Sequence, residues 1–204
     1  MRGGGWGAHF SKKALENPMR LAELLSPDRI AIRKPAASGG NGHGSEHKLD
    51  KNGALHELAG MLGRGTSTDA AEVERVLAER EALQSTGIGE GVAIPHGALT
   101  DVAAQCAALL LVPEGLDFSS IDDREVHILF AVVGPKKATG EHLRTLARVS
   151  RLLKSAEFRG KLLSQESPAA AFDLIATEEN NTLAPAPYRD KDAGGVDRDR
   201  GGKT

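Results

Sequence analysis

The sequence predicts a single α/β domain in which a small mixed β-sheet is flanked by α-helices on both sides. Helical patterns precede and follow a central run of short apolar strands, an order typical of layered α/β domains. The chain has 204 residues, 40% of them hydrophobic, which suffices for one core but makes a second full domain unexpected. The longest apolar runs, residues 107–112 and 128–133, have the length of central strands and are far too short to span a membrane.

The predicted domain covers residues 19–178. Residues 1–18 begin with glycines and lack periodicity, so we expect a disordered leader or an extension upstream of the true start. Residues 179–204 combine Pro, Gly and alternating charge, and we expect them to form a disordered tail. Within the domain, residues 33–48 are rich in Gly, Ser and Pro and indicate a flexible insert.

The first predicted elements are helices. A short helix begins at residue 19 and is closed by a Ser-Pro pair, and residues 51–62 have helical spacing. Residues 69–83 form the next predicted helix, which Asp69 and Glu72 open in the arrangement of a capping box.

Strands follow, and then helices return. The predicted strands are residues 91–95, 105–112 and 126–133, each apolar and bounded by turn residues. Helical patterns resume at residues 139–154, 156–163 and 168–177.

Charge and composition argue against several classes of protein. Basic residues (26) nearly balance acidic residues (28). The sequence also lacks the Lys/Arg cluster and the aromatic platform that are typical of proteins that bind nucleic acid, so we expect no nucleic-acid partner. The N-terminus lacks the apolar core of a signal peptide, so we expect a cytoplasmic protein without membrane insertion. The single cysteine, Cys106, excludes an internal disulfide and a cysteine-based zinc site, and fits a reducing compartment.

The most informative motif is TGIGEGVAIPHG, residues 86–97. Three alternate glycines precede His96, so a loop poor in side chains leads into a short strand. Such a loop lets backbone N–H groups approach an anion and leaves the imidazole open to an incoming group. Nucleotide-binding fingerprints differ, because they lead into a helix and have other glycine spacings. The motif therefore predicts phosphate chemistry on His96.

Arg80 is the first candidate partner of His96. It falls on the helical stripe of Val73 and Leu77, just before the glycine-rich motif, and a charge on a buried face requires a partner. Two interpretations are open. Arg80 extends to the surface or pairs with a carboxylate such as Glu81, or it faces a phosphate, to which a guanidinium offers bidentate donors.

His142 is the second candidate partner. It lies in the first turn of the predicted helix 139–154, where backbone N–H groups and the helix dipole favour an anion. The alternative is a histidine that only caps or covers its own helix, and spacing alone favours that alternative. The predicted apolar stripe beside it consists of Leu143, Leu146, Ser150 and Leu153.

The remaining histidines are interpreted as structural or solvated. His127 is expected to be a satisfied strand histidine, His56 and His9 surface residues, and His43 and His47 loop residues. No H-E-x-x-H or comparable spacing is present, so no metal site is predicted.

Two candidate nucleophiles are rejected. Cys106 lies in an apolar strand with no neighbour that would lower its pKa, so we expect a buried, inert thiol. Ser85 precedes a flexible loop without a positioned base, and the G-x-S-x-G elbow of serine hydrolases is missing.

The motif TGIGEGVAIPHG resembles the active-site signature of the enzyme IIA (EIIA) domain of the fructose/mannitol class of the bacterial phosphotransferase system (PTS), including its nitrogen-regulatory branch. The resemblance extends to LAELLSPDRI, VLAEREALQSTGIG, FSSIDDREVHILFAVVGP and EHLRTLARVSRLL, and so covers most of the predicted domain.

The resemblance implies a site and a partner. His96 matches the histidine that receives a phosphoryl group on Nε2 from a histidine phosphocarrier (HPr or NPr), and Arg80 and His142 match residues that stabilise the phosphate. Neither a cofactor nor a metal is implied. The backbone of the loop glycines is expected to contribute N–H groups: Gly87, Gly89, Gly91 and Gly97.

The resemblance leaves three functions open. No segment resembles an EIIB or membrane EIIC component, which favours the regulatory branch, where phosphorylation changes which target protein is bound. The alternatives are a transport subunit that passes phosphate to EIIB, and an interaction module that has lost phosphotransfer. One departure is that relatives often have a basic residue shortly after the active histidine, where this chain has Gly97-Ala98-Leu99-Thr100.

Overall fold

The computed structural model describes residues 20–33 and 49–183. The predicted leader, residues 34–48 of the predicted insert, and the predicted tail from residue 184 onward lie outside the described residues. Along the described chain the helices and strands are α1 (Leu21–Leu24), a 3-10 turn (Pro27–Arg29), β1 (Ile30–Ile32), α2 (Lys51–Thr66), α3 (Ala70–Leu83), β2 (Gly87–Gly89), β3 (Val92–Ala93), β4 (His96–Leu99), β5 (Cys106–Leu116), β6 (Val126–Pro135), a second 3-10 turn (Lys136–Ala138), α4 (Thr139–Leu152), α5 (Ala156–Leu163) and α6 (Pro168–Leu183).

The sheet is mixed, as predicted. Its strand order is β1-β5-β6-β3-β2, and β4 also pairs with β6. Strands β5 and β6 are antiparallel, whereas β1 runs parallel to β5, and both β3 and β4 run parallel to β6. Because β3 and β4 follow one another along the same edge of β6, the end of the glycine-rich motif is fixed to the centre of the sheet.

Helices cover both faces of the sheet, which confirms the predicted architecture. Alternate residues of β5 point to opposite faces. Ala108 and Leu110 join a hydrophobic cluster with α2 and α3 on one face. Leu109 and Leu111 join a second cluster with α1, α4, α5 and α6 on the other. A strand buried on both faces requires a continuous apolar run, which explains why this strand was recognisable.

The edge strands differ from prediction. Of the strand expected at residues 91–95, only β3 (Val92–Ala93) forms, and a second, unpredicted strand, β4, begins directly after Pro95. The expected loop before it contains strand β2, which pairs with β3. Strand β1 was not predicted. Such short strands have too few residues to show a period of two, and they are recognised only from their pairing with neighbouring strands.

The beginnings of α2 and α3 are fixed by aspartates. Asp50 accepts a hydrogen bond from the N–H of Gly53 (2.7 Å), and Asp69 accepts one from the N–H of Ala71 (3.1 Å). The predicted capping box at Asp69 is wrong, because the carboxylate of Glu72 pairs with Arg75 within the helix instead.

Helix α6 continues past the predicted domain boundary at residue 178, as far as Leu183. Glu179 is buried, and its carboxylate accepts hydrogen bonds from the backbone N–H groups of Leu21 (2.7 Å) and Ala22 (3.2 Å). This contact joins α6 to the start of α1. The polar sequence after residue 178 does not predict this contact, because the donors in α1 are 158 and 157 residues away along the chain.

Arg33, the first residue of the predicted insert, contacts both the sheet and α2. Arg33 donates its N–H to the carbonyl of Leu111 (2.8 Å), and its guanidinium pairs with Glu57.

No helix in the described part of the chain is long and apolar enough to cross a membrane.

Candidate active site

His96 begins strand β4, which pairs with β6 in the register His96↔Val132. The next residue, Gly97, lies directly against α3, since a Cβ built on it would come within 2.3 Å of Cγ1 of Val76. The absence of a side chain at Gly97 therefore allows β4 to lie close to the helix that carries Arg80.

The hydrogen bonds of His96 define its tautomer. Nδ1 lies 2.8 Å from the carbonyl oxygen of Ile94, which can only accept, so Nδ1 carries the proton. Nε2 lies 3.1 Å from Nε of Arg80, which can only donate, so Nε2 carries a lone pair. The ring is half-buried with its nucleophilic nitrogen directed toward the guanidinium.

The surroundings keep His96 neutral at physiological pH. Burial lowers its pKa below the ordinary value, and the positive charge of Arg80 acts in the same direction. The hydrogen bond to Ile94 and the negative charge of Glu81 oppose the shift but do not reverse it. A neutral imidazole is the nucleophilic form.

Arg80 faces His96 and not Glu81. Besides the contact with Nε2, its Nη1 donates to the carbonyl of Gln84 (3.0 Å), which orients the guanidinium at the end of α3. The interpretation that Arg80 pairs with Glu81 is wrong, because the carboxylate of Glu81 forms an ion pair with Lys51 (2.6 Å).

Glu81 itself is a residue that the sequence analysis missed as part of the site. It is buried, and its Oε2 accepts from both the backbone N–H (2.7 Å) and the hydroxyl (2.5 Å) of Thr86. These bonds attach the first residue of the glycine-rich motif to α3. The helical periodicity of a polar helix does not show that a carboxylate at its end is buried. The cationic partner, Lys51, is also 30 positions away in α2, so the sequence did not indicate the pair.

His142 lies beside His96. The two ring centroids are 5.9 Å apart and the ring planes are tilted by 49°. Burial lowers the pKa of His142, and the nearby His96 lowers it further, so both rings are neutral at pH 7.

The buried face of α4 differs from the predicted stripe. Leu143, the first residue of the predicted stripe, is 61% exposed, whereas Leu153, its last residue, is buried. The buried residues are Thr145, Val149 and Leu152, and His142 falls on this same face at helical spacing. The interpretation of His142 as a residue that only covers its own helix is therefore not supported, since the side chain is directed toward the sheet and His96.

Two loop glycines do not have the predicted free donors. The N–H of Gly87 donates to the hydroxyl of Ser85 (3.2 Å), and the N–H of Gly89 donates to the hydroxyl of Ser120 (3.1 Å). Both N–H groups thus already have acceptors within the protein, and their predicted contact with phosphate stays a prediction. Gly87 is required for packing instead, because a Cβ there would lie 2.8 Å from Cα of Ser120.

Gly91 forms the turn between β2 and β3 with φ of +75°, a conformation that favours glycine. Its carbonyl accepts from the N–H groups of His127 (2.8 Å) and Ile128 (3.0 Å). Gly91 thus connects the motif to the first residues of β6, and its predicted contact with phosphate stays a prediction.

The other candidates have structural surroundings. His127 is a satisfied strand histidine as expected, with Nδ1 near the carbonyls of Val112 (3.3 Å) and Pro113 (3.2 Å). Cys106 is buried, and burial raises the pKa of its thiol. Ser85 donates its hydroxyl to the carbonyl of Phe118. His56 is exposed and pairs with Glu74. Three histidines lie outside the described residues: His9, His43 and His47.

Residues 45–178 match the family model described as phosphoenolpyruvate-dependent sugar phosphotransferase system, EIIA 2. The chain belongs to this family. The match covers the glycine-rich motif, His96, Arg80 and His142, and the three side chains meet at one place in the structure.

Similar proteins carry regulatory and transport names. The nitrogen regulatory protein of Bradyrhizobium diazoefficiens is 34% identical over 158 residues, 78% of this chain and 95% of that protein. The nitrogen regulatory protein of Pseudomonas aeruginosa is 30% identical over 163 residues, 79% of this chain and 98% of that protein. The PTS fructose-specific EIIA component of Haloferax volcanii is 36% identical over 134 residues, 64% of this chain and 86% of that protein.

Among solved structures, the nitrogen regulatory protein IIA-Ntr from Neisseria meningitidis superimposes with a TM-score of 0.65 at 28% identity, covering 76% of this chain and 98% of that one. IIA mannitol from Escherichia coli has the same fold, with a TM-score of 0.58 at 20% identity, covering 74% of this chain and 98% of that one. The EIIA fold predicted from the sequence is thereby confirmed.

Proposed function

We propose that this EIIA 2 protein accepts a phosphoryl group on Nε2 of His96 from a histidine phosphocarrier of the HPr or NPr type. The observation that carries the proposal is the lone pair on Nε2 of His96. It is directed toward the guanidinium of Arg80, and the ring lies beside a second neutral histidine, His142. The two side chains that surround the nucleophile are suited to bind a phosphate.

The transfer proceeds in line. The lone pair of Nε2 attacks phosphorus as the bond from phosphorus to the donor's imidazole nitrogen breaks, and the electron pair of that bond leaves with the donor ring. The proton on Nδ1 of His96 stays in place, and the carbonyl of Ile94 stabilises the positive charge that the ring gains. No proton has to move at the moment of transfer.

Arg80 has two positions in this mechanism. Before transfer its Nε donates to the nucleophilic nitrogen, which orients the ring but also occupies the lone pair. As phosphorus approaches, the guanidinium moves to the equatorial oxygens, where its fixed charge stabilises the transition state. His142 supplies a second polar group on the other side of the phosphate.

We also propose that phosphorylation serves mainly regulation. Relatives named nitrogen regulatory protein are matched over nearly their whole length. A phosphoryl group adds about -1.5 to -2 charges and strong acceptor oxygens, enough to create or abolish an interface around His96. The partners are then the phosphocarrier as donor and a regulated target protein as recipient.

The transport function is the second candidate, because a fructose-specific EIIA component is 36% identical. It predicts rapid transfer from phosphorylated protein to the EIIB component of the same organism. The regulatory function instead predicts that a target protein binds the phosphorylated and unphosphorylated forms with affinities that differ at least about tenfold, a difference of about 1.4 kcal/mol. Equal affinities, together with fast transfer to EIIB, would favour transport.

Phosphorylation is tested by incubating the protein with phosphoenolpyruvate, enzyme I and HPr or NPr. We expect a mass gain of one phosphoryl group that is labile in acid and stable in alkali, and we expect none in His96→Ala. The matched control is His127→Ala, because His127 is also a half-buried histidine whose Nδ1 meets backbone carbonyls. Phosphorylation of folded His96→Ala, or none in the wild type with any carrier, contradicts the proposal and favours an interaction module.

A further inference from the structure

Three buried side-chain atoms of Gln105 and His142 have no hydrogen-bond partner among the described residues. They are Nδ1 of His142 and both amide atoms, Oε1 and Nε2, of Gln105. Gln105 is only 7% exposed and immediately precedes β5. A Cβ built on Gly134 would lie 2.7 Å from Cγ of Gln105 and 3.5 Å from Nδ1 of His142, so both side chains border the same point on β6.

This arrangement points to a pairing between the amide and the imidazole. Buried polar side-chain atoms almost always have hydrogen-bond partners, because an atom that loses its bond to water and gains none in the protein is destabilising. The last side-chain torsion of glutamine has a broad energy minimum, so the amide can turn toward Nδ1 at little cost. Gly134 leaves the space for this rotation, and any larger residue there would collide with Gln105.

We infer that Gln105 is a positioning residue whose amide N–H donates to Nδ1 of His142 and so holds that ring as the Nε2–H tautomer. The inference rests on the proposed function, in which His142 must donate to the phosphoryl group on His96. A neutral imidazole has one N–H, so a proton on Nδ1 would leave a lone pair on Nε2. That lone pair would repel the phosphoryl oxygens instead of binding them.

The two histidines then have opposite and complementary tautomers. The Ile94 carbonyl holds the proton on Nδ1 of His96 and leaves Nε2 as the nucleophile. The Gln105 amide N–H donates to the lone pair on Nδ1 of His142, so the proton of that ring lies on Nε2, which becomes the donor. The lowered pKa of His142, caused by burial and by His96, agrees with a neutral ring whose tautomer matters. Groups that orient an active imidazole in this way usually contribute strongly to activity.

The test is a direct measurement of the tautomer by ¹⁵N NMR of the imidazole nitrogens in the unphosphorylated protein at about pH 7.5, a pH above the ordinary histidine pKa. We expect the Nε2–H form of His142 in the wild type and a mixture or the Nδ1–H form in Gln105→Leu. Gln105→Glu should favour a proton on Nδ1, because a carboxylate only accepts. Gln165→Leu is the matched control, since the amide of Gln165 bonds to a backbone carbonyl in α5.

The second measurement is the rate of phosphoryl transfer from the phosphocarrier. We expect Gln105→Leu to lower the rate by about tenfold, by analogy with the lower end of the loss seen when the partner that orients a metal-bound imidazole is removed, while Gln165→Leu leaves it unchanged. A loss of rate with an unchanged His142 tautomer would mean that Gln105 acts only on packing, and would overturn the inference.

Nδ1–H or imidazolium in wild-type His142 would also overturn it, and this result needs no variant to fold. Failure of the proposed function gives a different result, because the wild type would then gain no phosphoryl group whatever the tautomer of His142.

Discussion

At the scale of single residues, the contact between Arg80 and His96 gives the clearest prediction. Arg80→Ala removes the donor to Nε2 and the charge next to the phosphate, so we expect the rate of phosphorylation to fall about 10²–10³-fold. Arg80→Lys keeps a charge but loses the planar pair of donors, and should recover only part of the rate. Stopped-flow transfer from labelled phosphocarrier measures both.

The control for this prediction is Arg75→Ala, which removes an exposed arginine of the same helix that pairs with Glu72 and Glu79. We expect a normal rate in this variant. A normal rate in Arg80→Ala would contradict the prediction, because it would show that the guanidinium contributes nothing to phosphoryl transfer.

The lowered pKa values of His96 and His142 predict how stability depends on pH. A histidine with a lowered folded pKa binds fewer protons when folded than when unfolded, between that pKa and the unfolded value near ~6.5. The free energy of unfolding should therefore decrease as pH falls from about 7 through the folded pKa values, and then show no further loss from these two groups.

The measurement is urea denaturation of the wild type and of His96→Asn/His142→Asn between pH 7.5 and pH 4.5, a window of ~3 units around the ordinary histidine pKa. Carboxylates titrate in both proteins, so the difference between the two curves isolates the histidines. Parallel curves would contradict the neutral, buried state of the two rings.

At the scale of secondary structure elements, Gly97 determines how closely β4 approaches α3. A methyl group at Gly97 would lie 2.3 Å from Cγ1 of Val76, so we expect Gly97→Ala to destabilise the protein by about 1–3 kcal/mol, as overpacking does, and to slow phosphorylation. Val76→Ala in the same chain should restore much of both. Denaturant unfolding and the transfer assay report the two effects.

The matched control is Gly160→Ala in α5, where a new Cβ meets nothing within 4 Å. This substitution should be neutral or stabilise by about 0.5–1 kcal/mol, because alanine favours a helix interior. If Gly97→Ala behaves like Gly160→Ala, the distance between β4 and α3 is not limited by the residue at position 97.

The elements were predictable in proportion to their length and to the periodicity of their side chains. Helix α5 was predicted with both boundaries correct, and β5 and β6 were recognised because they are buried on both faces. Strands β1 to β4 have two to four residues each, and they form by pairing with β5, with β6 or, for β2, with β3. The face of α4 was assigned wrongly because Leu143 is apolar but exposed.

At the scale of the whole molecule, the two ends of the described chain are joined through Glu179. Glu179→Ala removes the acceptor for two N–H groups at the start of α1, and we expect it to destabilise the protein by about 1–3 kcal/mol. Glu178→Ala is the matched control, because Glu178 adjoins it on the same helix without these contacts. Urea denaturation measures both variants.

This contact includes none of the three side chains of the candidate site, His96, Arg80 and His142, so folded Glu179→Ala should accept a phosphoryl group at the wild-type rate. Equal stability of the two glutamate variants would show that α6 is held by its apolar residues alone, such as Ala171 and Ile175 in the core.

The sequence by itself determined the identity of the candidate nucleophile, the class of fold and the family. These depend on local features: the motif around His96, the apolar runs of the central strands, and helical spacing. Helix spacing also raised Arg80 and His142 as candidates but left a structural alternative open for each.

Only the tertiary structure decided which alternative holds. The direction of Arg80 and the pairing of Glu81 with Lys51 involve groups that are 16 and 30 positions apart in sequence. The proton on Nδ1 of His96 is set by a carbonyl only two residues away, but it requires the backbone and side-chain conformation that the folded strand gives. Gln105 and His142 both border Gly134 of β6, although they are far apart in sequence. A pattern along the chain records which surface of an element is buried, whereas hydrogen bonds between polar groups depend on distances that exist only after the elements have packed together.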